Sequence, residues 1–349
     1  MGKMLAAVFH KKAESGGEII LEQVDIPEIK KNDDVLIEIK ACGICGTDLK
    51  IMEGAHPAND NVILGHEFCG IVENLGEDVK DLRKGDKVVI DPNLKCGICP
   101  ACRRGYDNQC EFLATGQTFG IFQNGGFTKY CVIPRRALYQ LPIDIDFTKA
   151  ALIEPLSCAV HCHNIADVKE CDNVVILGAG PMGLIIESII QKHPINQLFV
   201  VEPMEFRRKK ALELGANYVI NPETDDVEKE IKDLTNNHGA DVVIDAVGKS
   251  STFEFAQKIW ASRGRLILFG QDSRAIGTIK PNDIVRWQRS ILGSFISSGA
   301  DYLDAINLIS NNIIDTDKLI SHKIPLENLL SEGMKIMKEK TGLKVIVIP

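Results

Sequence analysis

One segment restricts the fold more than any other: the apolar run NVVILG at 173–178 leads directly into the turn GAGPMG at 178–183. A G-x-G-x-x-G pattern between a buried strand and a helix is typical of a dinucleotide-binding βαβ unit. Gly178 makes the tight turn, Gly180 admits a pyrophosphate, and Gly183 lets the helix pack on the strand. Pro181 and Met182 begin a helix whose N-terminus attracts phosphate. A glycine-rich turn without a ligand is the alternative.

The residues after 172 continue this pattern, because apolar strands alternate with helical stretches. Strands are predicted at 198–202, 218–220, 241–248, 265–270 and 291–295, and helices at 181–192, 206–214, 227–235 and 252–261. Such alternation indicates an α/β fold with a parallel, doubly wound sheet. We expect this nucleotide-binding domain to span residues 157–295.

An acidic residue stands where a ribose would lie. Glu202 ends the next strand, 19 residues after Gly183, and a carboxylate about 20 residues after this motif accepts the ribose hydroxyls. It would repel a 2′-phosphate, so NAD is favoured over NADP. Arg207 follows closely and weakens that preference. It lies either along the adenosine edge or on a solvated helix face.

The N-terminal part has a different character. Residues 1–156 contain short apolar runs broken by glycine, proline and aspartate, which predicts an antiparallel, barrel-like β domain. A chain of 349 residues is too long for one core, so two domains are expected. The tail, 296–349, returns to helix, loop, helix and strand, and we expect it to rejoin the first domain.

Four cysteines follow one another closely in the first domain. Cys96, Cys99, Cys102 and Cys110 form C-x₂-C-x₂-C-x₇-C. Four thiolates on a short loop can enclose Zn²⁺ in a closed, structural site, so a zinc lobe is predicted at about 94–112. An iron–sulfur cluster is the rival, although its usual run ends in C-x₃-C-P.

A second, open metal site is suggested by residues far apart in the chain. Cys45 follows a strand, His66 lies in Gly65-His66-Glu67, and Glu154 precedes a proline at the expected domain boundary. Three mixed ligands from separate loops suit a catalytic zinc, which leaves one position for water or substrate. Spacing this wide is weak evidence by itself.

Composition limits the cellular setting and the partners. The net charge of −8 argues against a nucleic-acid surface. The sequence has no apolar run of about 18 residues, so no membrane segment is expected. Its 11 cysteines are an odd number, and without a secretory signal they do not indicate a disulfide framework. We therefore expect a cytoplasmic protein with reduced thiols.

These motifs together resemble the zinc-containing medium-chain dehydrogenases, especially the sorbitol, threonine and sugar-alcohol branch. The pieces that carry the resemblance are GICGTD at 43–48, GHE at 65–67, the four-cysteine lobe, IEP at 153–155, GAGPMG, LFGQ at 268–271 and GSF at 293–295. They span nearly the whole chain in the family's order. The resemblance implies a Rossmann domain joined to a GroES-like β-barrel domain.

The resemblance also implies roles for individual residues. Cys45, His66 and Glu154 would hold a catalytic zinc, with Glu67 either a direct ligand or a group that exchanges with water. Together with the lobe, this gives two zinc ions per chain. Thr47 would take the substrate proton, and Glu202 and Arg207 would hold the adenosine side of NAD. The nicotinamide side would meet Val247, Phe269, Gly270, Ser294 and Phe295.

One position departs from the family pattern. Many relatives carry a histidine three residues after the relay hydroxyl, and this chain has Lys50 there. A lysine relays protons only if its pKa is depressed, so a solvated Lys50 is the alternative reading. His56 in the nearby loop is a candidate for substrate contact or an ordinary loop residue.

The resulting functional prediction is hydride transfer between NAD and a secondary alcohol. A polyol or sugar alcohol, with or without a phosphate, is the expected substrate, and threonine-type oxidation is the alternative. We also considered a zinc-free NADPH-dependent reductase and a non-catalytic zinc- and NAD-binding sensor. Relatives are commonly dimers or tetramers, so a homodimer or homotetramer is expected, with no nucleic-acid or membrane partner.

Overall fold

The computed structural model describes residues 2–12 and 16–349. The chain divides into two compact units, Met1–Glu154 together with Ser298–Pro349, and Pro155–Ser297. Each unit has a hydrophobic core of its own. No helix in the described part of the chain is long and apolar enough to cross a membrane.

The strands are numbered in chain order. They are β1 (Lys3–Lys11), β2 (Gly17–Asp25), β3 (Asp34–Gly43), β4 (Val62–Ile63), β5 (Glu67–Leu75), β6 (Lys87–Ile90), β7 (Tyr130–Pro134), β8 (Leu138–Gln140), β9 (Asn173–Leu177), β10 (Gln197–Val201), β11 (Tyr218–Ile220), β12 (Ala240–Asp245), β13 (Trp260–Leu268), β14 (Ser290–Gly293), β15 (Ile320–Pro325) and β16 (Lys344–Ile348).

The α-helices are numbered in the same way. They are α1 (Gly46–Met52), α2 (Pro100–Arg103), α3 (Phe147–Ala150), α4 (Ile153–Ala166), α5 (Pro181–Ile190), α6 (Glu205–Leu214), α7 (Val227–Leu234), α8 (Ser250–Ile259), α9 (Pro281–Trp287), α10 (Gly299–Ser310) and α11 (Met334–Glu339). Short 3₁₀ turns occur at Asp107–Gln109, Glu111–Thr115, Arg135–Ala137, Thr316–Lys318 and Leu326–Asn328, and a π turn at Leu329–Gly333.

The first unit contains a seven-stranded and a three-stranded sheet. The larger has the order β15-β16-β3-β5-β6-β8, with β7 also paired to β3, and the smaller has the order β2-β1-β4. The strand pairs are antiparallel except for β15 and β16. In β3, buried Val35, Ile37 and Ile39 alternate with half-buried residues, as one face of a sheet over a core requires.

The second unit contains one six-stranded parallel sheet with the order β11-β10-β9-β12-β13-β14. The direction of the strand order reverses between β9 and β12. All residues of β9 are buried. Because the strands are parallel, the loops after their carboxyl ends meet at one edge of the sheet. The predicted fold class, a Rossmann sheet with a GroES-like domain, is confirmed.

The segment after Pro325 differs from the single helix that its sequence suggests. It forms a 3₁₀ turn, a π turn and then the short helix α11. At the end of the π turn, a Cβ on Gly333 would lie 2.6 Å from Ile44 Cδ1 and 2.7 Å from Ile324 Cδ1. The backbone therefore approaches the core closely at Gly333, and the widened turn accommodates that approach.

Candidate metal and dinucleotide sites

The four cysteines of the predicted lobe meet around one point. The sulfur atoms of Cys96, Cys99, Cys102 and Cys110 all lie within 4.8 Å of one another. Two of the separations are 3.9 Å, between Cys96 and Cys102, and 4.0 Å, between Cys99 and Cys110. No protein group other than these sulfurs is needed to complete a four-coordinate site, so the donor set fits a closed zinc centre.

Backbone N–H groups favour the thiolate form of Cys96 and Cys99, whereas burial raises the pKa of Cys102 to about 12. The N–H groups of Ile98 and Cys99 donate to Cys96 Sγ over 3.4 and 3.3 Å, and they lower the pKa of Cys96. Hydrogen bonds to the backbone at Cys102 and Glu111 lower the pKa of Cys99 to about 6. Thiolates are the form that binds a metal, so the loop conformation prepares the site.

The lobe is fastened to the rest of its unit by charged side chains. Lys95 Nζ lies 2.6 Å from Asp91 Oδ2 and 3.9 Å from Asp107 Oδ2. Asp107 Oδ2 also accepts the N–H of Gly299, the first residue of α10, over 3.1 Å. Lys95, just before the cysteine run, and Asp107, between Cys102 and Cys110, thus connect the lobe to a helix almost two hundred positions later.

A second group of metal-ligating side chains lies at the end of β3. Ligand atoms of Cys45, His66 and Glu67 are within 4.8 Å of one another. Cys45 caps α1, and Glu67 begins β5, where it pairs with Gly43. The register between β3 and β5 therefore brings together residues that are some twenty positions apart.

Asp48 lies beside two members of this group. It is fully buried, its Oδ2 accepts the N–H of Cys45 over 2.9 Å, and its Oδ1 lies 3.8 Å from His66 Nδ1. Burial raises the pKa of Asp48 to about 6, against the lowering effect of His66. The carboxylate fixes the turn that carries Cys45, and it lies near the ring of His66 without a hydrogen bond to it.

The group is rich in negative charge. Burial opposes protonation of His66, yet Cys45, Asp48 and Glu154 together raise the pKa of His66 well above its ordinary value. Glu154 stands near the start of α4 and is 8% exposed, and burial raises its pKa to about 7. Glu154 lies outside the group of three whose atoms are within 4.8 Å. A divalent cation would offset these charges.

Glu67 makes a buried ion pair. Lys344 Nζ donates to Glu67 Oε2 and, over 3.1 Å, to the carbonyl oxygen of Ile44. The two side chains are 3% and 1% exposed. Burial opposes the charged form of Lys344, but Glu67, Cys45 and Glu154 outweigh that effect and raise the pKa of Lys344.

The predicted relay residues lie on and beside α1. Thr47 Oγ1 is 3.6 Å from Cys45 Sγ, which places a hydroxyl beside the metal-ligating group. Lys50 is a half-buried residue of the same helix. The ring of His56 is 2.8 Å from the carbonyl oxygen of Pro57 through Nδ1, and burial lowers the pKa of His56. His56 is therefore neutral near pH 7.

The glycine-rich turn in the second unit has the geometry that its motif requires. Gly178 has φ +96°, and a Cβ on Gly183 would lie 2.0 Å from the carbonyl oxygen of Gly178. A Cβ on Gly180, the N-cap of α5, would meet only Arg207 Nη1, at 3.9 Å. The turn, the close packing and the open approach to a helix N-terminus are therefore all present.

Glu202 stands at the carboxyl end of β10, beside that turn. Its Oε2 accepts the N–H of Ala179 over 2.8 Å, and its Oε1 accepts the N–H of Met204 over 3.0 Å. The side chain is 4% exposed. The half-buried guanidinium of Arg207 lies close enough for Glu202 to affect its pKa, which burial lowers.

Three of the residues predicted to face the nicotinamide, Val247, Phe269 and Gly270, donate backbone N–H groups to Asp245. Asp245 Oδ1 accepts the N–H of Val247 over 2.9 Å, and its carbonyl oxygen accepts the N–H groups of Phe269 and Gly270. Ser294 N–H donates to Leu268 at the same edge of the sheet. Ser294 is buried, whereas Phe295 is 45% exposed. All five follow carboxyl ends of parallel strands.

Comparisons with known proteins agree with both units. Residues 31–143 match the model of the alcohol dehydrogenase GroES-like domain, and residues 181–311 match that of the zinc-binding dehydrogenases. The chain belongs to the zinc-type medium-chain alcohol dehydrogenase family. As a member of that family it is a hydride-transferring alcohol oxidoreductase.

Individual members of this dehydrogenase family are similar over the full length. L-threonine 3-dehydrogenase from Pyrococcus furiosus is 31% identical, with 100% of each chain covered. Sorbitol dehydrogenase from Bacillus subtilis is 30% identical over 99% of this chain and 97% of its own. A zinc-binding dehydrogenase from Sinorhizobium meliloti 1021, solved bound to NADP, is 32% identical over 100% of both chains, with a TM-score of 0.91.

Two residues of the site were not identified from the sequence. Asp48 is part of the GICGTD motif, and an acid three residues after a candidate ligand could have been recognised as its capping partner. Lys344 is 277 positions from Glu67, and it begins an otherwise apolar strand. A lone lysine in such a strand was the only signal of its role.

Proposed function

We propose that this chain is an NAD-dependent zinc dehydrogenase that oxidises a secondary alcohol of a polyol or sugar alcohol to the ketone. The proposal rests on one observation: Cys45, His66 and Glu67 converge beside the hydroxyl of Thr47. Sulfur, nitrogen and oxygen donors fit zinc, and three protein ligands leave a position for a substrate oxygen.

Each residue of the site has a defined task in this mechanism. A zinc ion held by Cys45, His66 and Glu67 supplies Lewis acidity that lowers the pKa of the substrate hydroxyl. Thr47 accepts the hydroxyl proton, and the carbinol carbon gives its hydride to the nicotinamide. Glu154 would be a further candidate ligand, because it is buried and close enough for its charge to act on His66.

The proton leaves the relay without a histidine at position 50. Lys50 stands where relatives place that histidine. We infer that water, rather than Lys50, carries the proton onward from Thr47. His56, on the loop after α1, is a candidate for contact with a substrate hydroxyl.

The cofactor is proposed to be NAD, bound at the glycine-rich turn with its adenosine ribose beside Glu202. A buried carboxylate there accepts hydrogen bonds from both ribose hydroxyls and repels a 2′-phosphate. The residues Val247, Phe269, Gly270, Ser294 and Phe295 form the nicotinamide side. The similar S. meliloti protein was solved with NADP, and Arg207 beside Gly180 could serve such a phosphate, so NADP must be tested.

The experiment is a substrate panel with metal analysis of the same preparation. Polyols, polyol phosphates and L-threonine are offered with NAD and with NADP, while reduced nicotinamide is followed by its absorbance. We expect about two zinc ions per chain, one for each donor group, and turnover of one polyol. Turnover of L-threonine alone would favour the activity of the P. furiosus relative. Absence of zinc and of NAD binding would overturn the proposal.

Cys45→Ser tests the catalytic group directly. Loss of one ligand should remove about one zinc ion per chain and turnover, while NADH binding in the second unit stays within about twofold. Cys69→Ser is the matched control, because Cys69 is a buried thiol of β5 outside both metal groups. Loss of NADH binding to the same extent as activity would contradict the assignment of Cys45 to the metal.

Glu202→Ala tests the choice of cofactor. A hydrogen bond to a charged acceptor contributes about 1.5–3 kcal/mol, so NAD affinity should fall about 10- to 100-fold. NADP should lose less affinity, and the ratio of the two dissociation constants should narrow. Glu202→Gln removes the charge and keeps an oxygen acceptor for one of the two N–H groups that Glu202 binds, that of Ala179 or that of Met204. An unchanged ratio in both variants would contradict the ribose role.

A further inference from the structure

A cavity of about 340 Å³ lies within the first unit, and none of its described lining residues belongs to the proposed mechanism. Its volume falls in the range of pockets that bind small molecules. One wall is a face of the three-stranded sheet and includes Met4 and Val8 of β1 and Ile63 of β4. Another wall includes Phe119 and residues of β7. The cavity is therefore separate from both groups of metal ligands.

The sheet brings a carboxylate to the face that lines this cavity. Glu22 and Val24 are alternate residues of β2, so their side chains share one face. Both line the cavity, both are half-buried, and Val24 pairs with Met4 of β1. Asp25, the last residue of β2, adds a second carboxylate to the lining. The side chains of Glu22 and Asp25 are 40% and 62% exposed, so both carboxylates are accessible to a ligand from solvent.

The charge of the lining selects the kind of ligand. Among the described residues that line the cavity, two are acidic and none is basic. Lys3 Nζ lies 2.9 Å from Asp25 Oδ1, and His10 Nε2 lies 3.4 Å from Glu22 Oε2. Ion pairs with exposed carboxylates contribute little free energy, so a cationic ligand can displace these two partners.

Aromatic and apolar side chains complete the lining. Phe119 is buried, and Tyr130 is a half-buried residue at the start of β7. The faces of aromatic rings attract organic cations, and the ammonium of Lys129 lies 5.3 Å from the centre of the Tyr130 ring. A ligand with one positive charge and an apolar body therefore matches both the acidic and the apolar part of the lining.

We propose that this cavity is a second binding site, which takes a small organic ammonium ion with an apolar body. The apolar body lies against Met4, Val8 and Val24, and the ammonium lies beside the carboxylates of Glu22 and Asp25. The inference goes beyond hydride transfer. It involves neither the metal nor the dinucleotide, so it does not depend on the proposed function.

Isothermal titration calorimetry of the full-length protein with benzyltrimethylammonium tests this site. The nitrogen of the probe has no lone pair, so it cannot bind a metal, and the probe has no hydroxyl that could be oxidised. At constant ionic strength we expect a dissociation constant of about 1 mM, the range of a small ligand with one charge. Tetramethylammonium carries the same charge without the aromatic ring, and it should bind at least about tenfold more weakly.

Variants of the carboxylates test the selection by charge. Glu22→Gln should weaken binding of benzyltrimethylammonium by up to about fivefold, and Glu22→Gln combined with Asp25→Asn by about tenfold. Glu18→Gln is the matched control, because Glu18 is an exposed carboxylate of β2 that does not line the cavity. It should bind the probe with the wild-type affinity.

A second pair of variants tests the space itself. Val24→Phe extends an aromatic ring into the cavity from β2 and should abolish binding. Gln23→Phe adds the same ring on the opposite, exposed face of the strand and should leave the affinity unchanged. Aromatic residues are favoured in strands, so both variants should fold, which their circular dichroism spectra and unfolding temperatures check.

Three outcomes would overturn the inference. They are no measurable binding of the probe to the wild-type protein, equal affinities of Val24→Phe and Gln23→Phe, and an unchanged affinity when both Glu22 and Asp25 are neutralised. Glu22 would then serve only as an inward-pointing charge that keeps β2, the edge strand of its sheet, from pairing with another chain. The substrate panel and the zinc content test the proposed function separately, so the two proposals can fail independently.

Discussion

At the scale of single residues, the motifs predicted side chains that the structure brings together, and they did not predict Lys344. The glycines of the turn are recognisable because their chemistry demands a fixed residue type at a fixed spacing. Asp48 lies in the same short motif as Cys45 and accepts its N–H, so a local pattern marks it. Lys344 reaches Glu67 only through a tertiary contact, and many residue types could provide such a contact from many positions, so no local pattern marks Lys344.

Glu187, on α5, is another residue with an unusual environment. It is the one charged residue of α5, and it is fully buried. Neither carboxyl oxygen has a side-chain or backbone hydrogen bond of normal geometry within the described residues. Burial raises the pKa of Glu187 to about 9, opposed only by the backbone of Ala216, from an ordinary value of 4.5.

This shift predicts a pH dependence of stability with a definite sign. Above pH 4.5 the unfolded chain releases the proton that the folded chain retains up to about pH 9. Stability therefore falls between these values, at a limiting slope of about 1.4 kcal/mol per pH unit. Glu187→Gln is neutral and of similar shape, so it should flatten the slope.

Denaturant unfolding of the second unit at pH 5.5, 7 and 8.5, followed by its loss of NADH binding, measures this slope. The matched control is Glu254→Gln on α8 of the same unit, an exposed carboxylate. An equal slope in wild type and Glu187→Gln would mean that the carboxyl of Glu187 is ionised in the folded protein at neutral pH.

At the scale of elements, the apolar pattern of the sequence predicted the strands reliably. It did not predict the places where the backbone packs closely. The apolar runs 173–178 and 265–270 correspond to β9 and to the end of β13, because a strand buried on both faces needs an unbroken apolar sequence. The stretch after Pro325 has helix-forming residues, yet it contains a π turn that ends at Gly333, where a Cβ would lie close to Ile44 and Ile324. The closeness to Ile44 depends on a segment almost three hundred positions earlier in the chain.

Because Asp107 connects the cysteine lobe to α10, we expect one substitution at Asp107 to affect both the helix and the metal site. Asp107 places a carboxylate at the N-terminus of the twelve-residue helix α10 and also faces Lys95 beside Cys96. A negative charge at a helix N-terminus contributes about 0.3–1 kcal/mol. Asp107→Asn should therefore lower the stability of the first unit by about 1 kcal/mol and speed zinc loss from the lobe.

Thermal unfolding with and without chelator measures both effects. Asp304→Asn removes an exposed carboxylate from the same helix and should change neither quantity. If the Asp107→Asn variant is less stable but loses zinc from the lobe at the wild-type rate, the stability of α10 and zinc binding are not coupled through Asp107. In that case Asp107 would act on α10 alone.

At the scale of the whole molecule, the order of the motifs was more informative than any one of them. A GxGxxG turn or a cysteine cluster occurs in many folds, but their sequence along the chain predicted a Rossmann sheet and a GroES-like domain together. The substrate was not predictable, because it depends on side chains brought together by loops and on no fixed spacing. The same limit applies to Lys50 and His56, whose roles depend on which hydroxyls a substrate presents.

The two units have separate hydrophobic cores and separate ligands, which predicts how the molecule unfolds. Chains with more than one domain commonly depart from two-state behaviour, so calorimetry should resolve two transitions. A ligand that binds only the folded state stabilises its own unit by about 2.7 kcal/mol at 100 times its dissociation constant. NADH should therefore raise the transition of Pro155–Ser297, and a chelator should lower the transition of the unit that contains the cysteine groups.

The decisive comparison uses variants that each weaken the binding of one bound ligand, either zinc or NADH. Cys99→Ser should reduce the response of the first transition to chelator to the part that the Cys45 group contributes, because the lobe would already lack its metal, while NADH still raises the second. Glu202→Ala should weaken the NADH response and leave the chelator response unchanged. A single transition that shifts equally with both ligands in the wild-type protein would show that the cores do not unfold independently. Zinc loss would then also reduce NADH affinity, since linked equilibria act in both directions.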